Sequence, residues 1–240
     1  MDPLPDGARR IAFFGGSFDP PHLGHLAVAR AARRALALNA VLFAPVGYQP
    51  LKPRGSTASF EDRLAMTRLA IAGESAFAIS LADAPGGSGA PNYTLETLLA
   101  LRAQLPAGGA LFCLMGADSF LSLRRWHRAA EIPFAAPLIV ASRPNERLDD
   151  LAVALPLGIS IEPLEGLEPP PELDNLGSQV ELRTYRLRDS DGQLAQFYLL
   201  PGLDEEASAS GIREQLRSGR GDELLPAPVA AYIHAKSLYR

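Results

Sequence analysis

Gly15-Gly16-Ser17-Phe18-Asp19-Pro20-Pro21-His22-Leu23-Gly24-His25 is the stretch that decides the fold. The apolar run Ile11-Ala12-Phe13-Phe14 leads into it, and a helical pattern from Leu26 to Leu38 leads out. The segment therefore reads as a buried strand, a tight glycine turn and a helix N-terminus. Backbone N–H groups and the positive end of the helix dipole then point into one cleft, a ready site for phosphate. Glycine lets the chain approach a ligand closely, and Pro20-Pro21 stiffens the loop. His22 and His25, three apart on a helical turn, project to the same side. Imidazoles there can donate hydrogen bonds to charge that develops during phosphoryl transfer. The spacing is neither that of the G-x-G-x-x-G dinucleotide fingerprint nor that of a P-loop.

Outward from this segment, strands and helices alternate. Ala40–Pro45, Phe77–Leu81, Leu111–Met115 and Pro137–Ala141 are predicted strands. Helices are predicted over Phe60–Ala72, with Ser59 as N-cap and Leu64, Ala65, Leu69 and Ala72 on the apolar face, and over Thr94–Gln104, with Thr94 as N-cap. This alternation implies right-handed βαβ crossovers and an α/β, doubly wound, Rossmann-like parallel sheet with helices on both faces. Ligands in such sheets bind beyond the C-terminal strand ends, where strand order reverses. The loop carrying Gln49-Pro50-Leu51-Lys52-Pro53 follows the second strand and falls there, so the Lys52 ammonium can reach a triphosphate at the first turn.

Length and composition fit one domain, taken as residues 8–240, with 146–204 as a divergent insertion. Hydrophobic residues make up 47% of the 240, ample for a core. A net charge of −4 and a pI near 5.6 argue against a general nucleic-acid or anionic-membrane surface. Only two of the 23 basic residues are lysines, Lys52 and Lys236. The single cysteine, Cys113, lies in an apolar run, which excludes a disulfide and suits the core. The N-terminal residues lack a signal-peptide pattern and no apolar run approaches membrane-spanning length, so a cytoplasmic protein is expected.

Gly15 to His25 closely resembles the G-x-F-D-P-x-H-x-G-H signature of nucleotidyltransferases that release pyrophosphate from a nucleoside triphosphate. Ser208-Ala209-Ser210-Gly211-Ile212-Arg213 resembles their second signature, S-[ST]-x-x-[IV]-R, with Ala209 removing one hydroxyl. Asn92-Tyr93-Thr94-Leu95-Glu96-Thr97-Leu98 resembles the aromatic-Thr helix start of the nicotinate-nucleotide adenylyltransferases. Gly116-Ala117-Asp118-Ser119 with Trp126 resembles the same family's G-x-D…W arrangement. The departure at Leu51, where a histidine usually precedes the lysine, removes one expected donor. The resemblance covers the chain except roughly residues 146–204.

It implies transfer of AMP from ATP to nicotinate mononucleotide, with Mg²⁺ carried mainly by the ATP phosphates. ATP is then expected at Gly15, Gly16, Ser17, Phe18, His22, Gly24, His25, Gly116, Asp118, Ser208, Ser210, Ile212 and Arg213. The acceptor falls to Asp19, Lys52, Tyr93, Thr94 and Trp126, and catalysis to His22, His25, Lys52 and Arg213. Nicotinamide mononucleotide or phosphopantetheine as acceptor, and a nucleotide-binding regulator without turnover, remain open. A homo-oligomer is also open.

The residues from Val180 to Leu200 carry no such resemblance and are read from pattern alone. Val180–Leu187 and Leu194–Leu200 flank Asp191-Gly192, a hairpin signal. A two-residue turn pairs Ser190 with Gln193 and sets Tyr185 opposite Tyr198. Leu182, Thr184, Phe197 and Leu199 then share the other face. The second arm is expected inside and the arginine-bearing first arm at the edge. The chain is expected to close with helices near Gly211–Ser218 and Val229–Lys236.

Overall fold

The computed structural model describes residues 4–5, 7–51, 55–86, 89–142, 152–164, 181–203 and 208–240. Five parallel strands, β1 (Arg10–Gly16), β2 (Ala40–Pro45), β3 (Phe77–Ile79), β4 (Ala110–Gly116) and β5 (Leu138–Ala141), carry the first half. Three more, β6 (Ser160–Pro163), β7 (Arg183–Arg188) and β8 (Leu194–Leu200), complete one eight-stranded sheet in the order β3-β2-β1-β4-β5-β8-β7-β6. β8 pairs parallel with β5, Leu138 opposite Phe197, while β7 alone runs the other way, pairing antiparallel with both β8 and β6. The helices that bear on the site and core are α1 (Leu23–Ala35), α2 (Phe60–Ile71), α3 (Thr94–Arg102), α4 (Ala117–Leu121), α5 (Ile132–Ala135), α6 (Ala209–Arg217) and α7 (Ala227–Lys236).

Successive strand residues point to opposite faces, so strands covered on both sides must be apolar throughout. Phe14, Phe43, Phe112, Leu114 and Ile139 pack with Leu26, Ala29, Met66, Val229 and Ile233 on one face. Phe13, Leu42, Cys113, Leu138 and Phe197 pack with Leu95, Leu98, Leu101 and Ile132 on the other. Strand order reverses between β1 and β4, because the chain winds from β1 toward β3 and from β4 toward β5. A crevice opens there at the C-terminal strand ends. Among the described residues, no helix is long and apolar enough to cross a membrane.

Several elements differ from the sequence pattern. The first helix starts at Leu23 rather than Leu26, because His22 takes the N-cap position. Helix α2 buries Arg63, Met66, Thr67, Ala70 and Ile71 most deeply; of the expected apolar face, Leu69 packs partly against the core, Leu64 and Ala65 are half-buried and Ala72 is exposed. Its buried face is set by polar groups that find partners: Arg63 donates to the carbonyls of Ser17 (2.6 Å) and Val46 (2.8 Å), and Thr67 Oγ1 donates to Arg63 O. Tyr93, not Thr94, occupies the N-cap position of α3.

The hairpin is shifted by one residue. Thr184 faces Tyr198 and Tyr185 faces Phe197, since the loop has three residues, 190–192. Asp189 N donates to Gln193 O, and its carboxylate accepts from Asp191 N and Gln193 N. Gly192, at φ +83°, supplies the left-handed residue that such a loop needs. A one-residue shift moves every side chain to the opposite face, so Tyr185, Leu187, Phe197 and Leu199 share a core. β8 is inside, as expected, but β7 is covered by β6, which forms the edge and ends in Pro163. The hairpin's apolar face therefore packs on the sheet's own core.

Candidate active site

Four helix N-termini meet at the crevice, each following the C-terminal end of a strand or its loop. They bring His22, Gly24 and His25 (α1), Tyr93 and Thr94 (α3), Gly116, Ala117, Asp118 and Ser119 (α4), and Ser208 and Ala209 (α6) onto one cleft of about 560 Å³. Neither α1 nor α6 has an acidic residue in its first turn. Their positive dipole ends are thus left for an external anion.

On the β1–α1 side, Gly15, Gly16, Ser17 and Phe18 line the cleft. A Cβ on Gly15 would come within 2.8 Å of the Phe13 ring, which explains the glycine by packing. Phe18 has φ +47°, a conformation costly for a bulky residue, on the order of 1–3 kcal/mol. Its ring is held 5.5 Å from Phe14, 5.5 Å from Phe43 and 5.0 Å from His25, centroid to centroid. That wedge seats the His25 imidazole, which also lies 3.7 Å from the His22 ring and 6.0 Å from the Phe14 ring, centroid to centroid.

The main-chain N–H of His22 donates to His25 Nδ1 at 3.2 Å. An amide N–H can only donate, so Nδ1 accepts and the neutral ring carries its proton on Nε2. Burial, and then the neighbouring His22, hold the His25 pKa well below 6.5. Burial lowers His22 to about 4, and its Nδ1 is buried without a hydrogen-bond partner. Both rings are neutral donors at pH 7 in the ligand-free protein.

The opposite wall is aromatic and charged. Tyr93 and His127 lie ring on ring at 4.3 Å. Trp126 is half-buried, and its Nε1 donates to Ser122 Oγ at 2.9 Å. Arg125 and Asp83 also reach the cleft. Asp83 is buried, accepts from Thr97 Oγ1, and is raised to about 6 by that burial. Gly47 closes this end: its N–H donates to Asp83 O, and a Cβ on it would meet Pro85 N at 2.5 Å.

Some sequence-derived site residues lie elsewhere. Asp19 is 3% exposed and off the cleft wall. Its carboxylate accepts from Thr57 N (2.6 Å), Ala58 N (3.1 Å) and the Tyr239 hydroxyl (2.7 Å). Arg213 lies behind the wall, with Nη1 on Asp19 O (2.7 Å) and Nη2 on Ser210 Oγ (3.1 Å). Ile212 is fully buried beneath them. Ser208 caps α6 by accepting from Gly211 N. Lys52 falls outside the described residues. The sequence pattern assigns no role to Asp83, Arg125 or His127. Asp83 was findable because it follows β3 as the signature residues follow β1, and His127 because it adjoins Trp126. Arg63 carried no signal beyond a charge inside a helix.

A cytidylyltransferase-like family model matches residues 13–215. The chain is 36% identical to a probable nicotinate-nucleotide adenylyltransferase of Gloeobacter violaceus over 96% of both chains. It is also 36% identical to a protein of the same description from Trichlorobacter lovleyi, over 96% of this chain and 99% of that one. Its fold resembles the Plasmodium falciparum nicotinic acid mononucleotide adenylyltransferase in complex with NaAD, with TM-score 0.66, 15% identity, and 96% and 97% of the two chains covered. The same enzyme in complex with APC gives TM-score 0.64 at 14% identity, with the same coverage.

Proposed function

Because the chain belongs to the cytidylyltransferase-like family and, within it, to the nicotinate-nucleotide adenylyltransferases, we propose that it joins ATP to nicotinate mononucleotide. The products are nicotinate adenine dinucleotide and pyrophosphate. The observation that carries this reading is the pair of neutral histidines at the α1 N-terminus, facing an aromatic wall across one cleft.

A phosphate oxygen of the mononucleotide attacks the α-phosphorus of ATP in line, and the bond to the bridging oxygen breaks toward pyrophosphate. The nucleophile is already an anion, so no side chain need be covalently modified. Catalysis rests on positioning and on stabilising charge at the phosphoryl oxygens. His25 Nε2–H and the His22 ring supply donors, and the α1 N-terminus adds its dipole. Gly15, Gly16, Ser17, Phe18, Gly24, Gly116, Asp118 and Ser208 form the ATP side. Ser210, Ile212 and Arg213 support it from behind, and Lys52 adds charge from the β2 loop. Tyr93, Thr94 and Trp126 hold the pyridine nucleotide, while Asp19 serves the loop rather than the acceptor.

ATP enters as its magnesium complex. Among the described residues no cluster of three His, Cys, Asp or Glu suits a metal, and an ion carried on phosphates and water needs none.

The test is pyrophosphate release from ATP across nicotinate mononucleotide, nicotinamide mononucleotide and phosphopantetheine. Fastest release with the nicotinate acceptor supports the reading. Preference for either other acceptor reassigns the aromatic wall. ATP binding without release from any acceptor makes the chain a nucleotide-binding regulator.

A further inference from the structure

Asp19 belongs to the first signature, Arg213 to the second, and Tyr239 to neither, yet the buried Asp19 and Tyr239 and the half-buried Arg213 meet in one cluster. Tyr239 is 6% exposed and sits at φ +63°. Ser237, at φ +53°, ends α7 and turns the chain back toward the sheet. Two non-glycine residues in the left-handed region are held only where surrounding contacts over-determine them. The contact found here is the Tyr239 hydroxyl on Asp19 Oδ1 at 2.7 Å. Burial and the Asp19 charge push the phenol pKa up, so Tyr239 remains a protonated donor.

Asp19 passes this constraint on in two directions. Its carboxylate orders the main chain at Thr57 and Ala58, and its carbonyl accepts from Arg213 Nη1 at 2.7 Å. Arg213 is further tied to Ser210 and lies 3.8 Å from Asp19 Oδ2. A guanidinium has five N–H donors in a rigid fork. Two of them are engaged, one on the Asp19 carbonyl and one on Ser210 Oγ, which fixes the plane of the guanidinium.

We propose that Tyr239 is a positioning residue for ATP: by holding Asp19 it holds the carbonyl that orients Arg213, and so sets how the second phosphate-binding segment meets the first. This rests on the reading that Arg213 supports the ATP side of the cleft from behind its wall.

The test is a double-mutant cycle with MgATP binding measured by calorimetry on the parent, Tyr239→Phe, Arg213→Ala and the double variant. Tyr239→Phe keeps the buried ring and removes only the hydroxyl. It is expected to weaken MgATP binding about fivefold in the parent, the size of an ordinary coupling between contacting residues. In the Arg213→Ala background the same change is expected to have almost no effect, and nicotinate mononucleotide binding is expected to stay unchanged throughout. Should Tyr239→Phe fail to fold, Asp19→Asn takes its place in the cycle with the same outcomes. An unchanged MgATP affinity overturns the inference, and so does an equal loss in both backgrounds, which is the mark of a merely structural role. Arg213→Ala with parental ATP affinity also overturns it, by removing the route. Failure of pyrophosphate release in a parent that shows the non-additive cycle would instead count against the proposed reaction alone.

Discussion

The two walls of the cleft are built from different chemistry and respond to acid in opposite senses. On the β1–α1 wall, two buried imidazoles are held neutral, His22 at about 4. On the facing wall, Asp83 is held toward its protonated form, at about 6. Burial is the leading cause in each case, because a low-dielectric site disfavours the charged form of either group. The first wall therefore offers hydrogen-bond donors and helix dipoles rather than full charges. The second offers stacked rings, Tyr93 on His127. Phosphate chemistry and recognition of a flat ring fit these two surfaces, and each can be perturbed without the other.

The largest effect is expected from His25→Ala. Loss of one preorganised donor should lower kcat by roughly two to three orders of magnitude, while KM for the acceptor changes little. Steady-state kinetics with both substrates varied would check this.

Next come the opposing pH responses, read as Tm against pH. His22 takes up a proton more readily unfolded than folded, so its contribution is whole above pH 6.5 and is lost as pH falls from 6.5 through about 4. For Asp83 the sign reverses. Its folded pKa lies above the unfolded one, so its contribution is present at low pH and lost as pH rises through about 6. His22→Asn should flatten the acid-side fall in Tm. Asp83→Asn should raise Tm at pH 8 with a gain that fades toward pH 4. Each effect is on the order of 2–3 kcal/mol, from a pKa displaced by about two units.

Trp126→Ala should raise the acceptor's KM about tenfold, the loss of one aromatic packing contact, and leave ATP's KM nearly unchanged. Equal effects on both substrates would show that the two walls are not separable.

The smallest effect is expected far from the cleft. Asp189→Ala removes the side-chain acceptor for Asp191 N and Gln193 N in the hairpin. It should lower stability by about 1 kcal/mol with kcat and both KM values unchanged. A kinetic effect would tie the hairpin to the site.

What the sequence made legible follows the same division. Strand β2 is found at its expected limits, Ala40–Pro45, and the signature residues from Gly15 to His25 line the cleft except Asp19, Pro20, Pro21 and Leu23. Short apolar runs between turn residues, and specialised residues at strand ends, are local signals. The misread features depend on partners distant in sequence. Arg63 is buried because the carbonyls of Ser17 and Val46 wait for it, and hydropathy alone assigned α2 another face. Asp-Gly signals a hairpin, but the Asp189 carboxylate selects the three-residue loop and so the register. Asp19 resembled a ligand by its place in a motif, yet its donors lie 38 and 220 residues away.

The most direct test concerns the charge on the first wall. Histidine ¹⁵N–¹H spectra of the ligand-free protein, recorded from pH 5 to 8, report the tautomer and charge of each ring. The expected result is a neutral His25 at pH 7 with its proton on Nε2 and Nδ1 accepting, and no titration near pH 6.5 for either His22 or His25. An imidazolium at pH 7, or a proton on His25 Nδ1, would contradict a phosphate wall built on neutral donors.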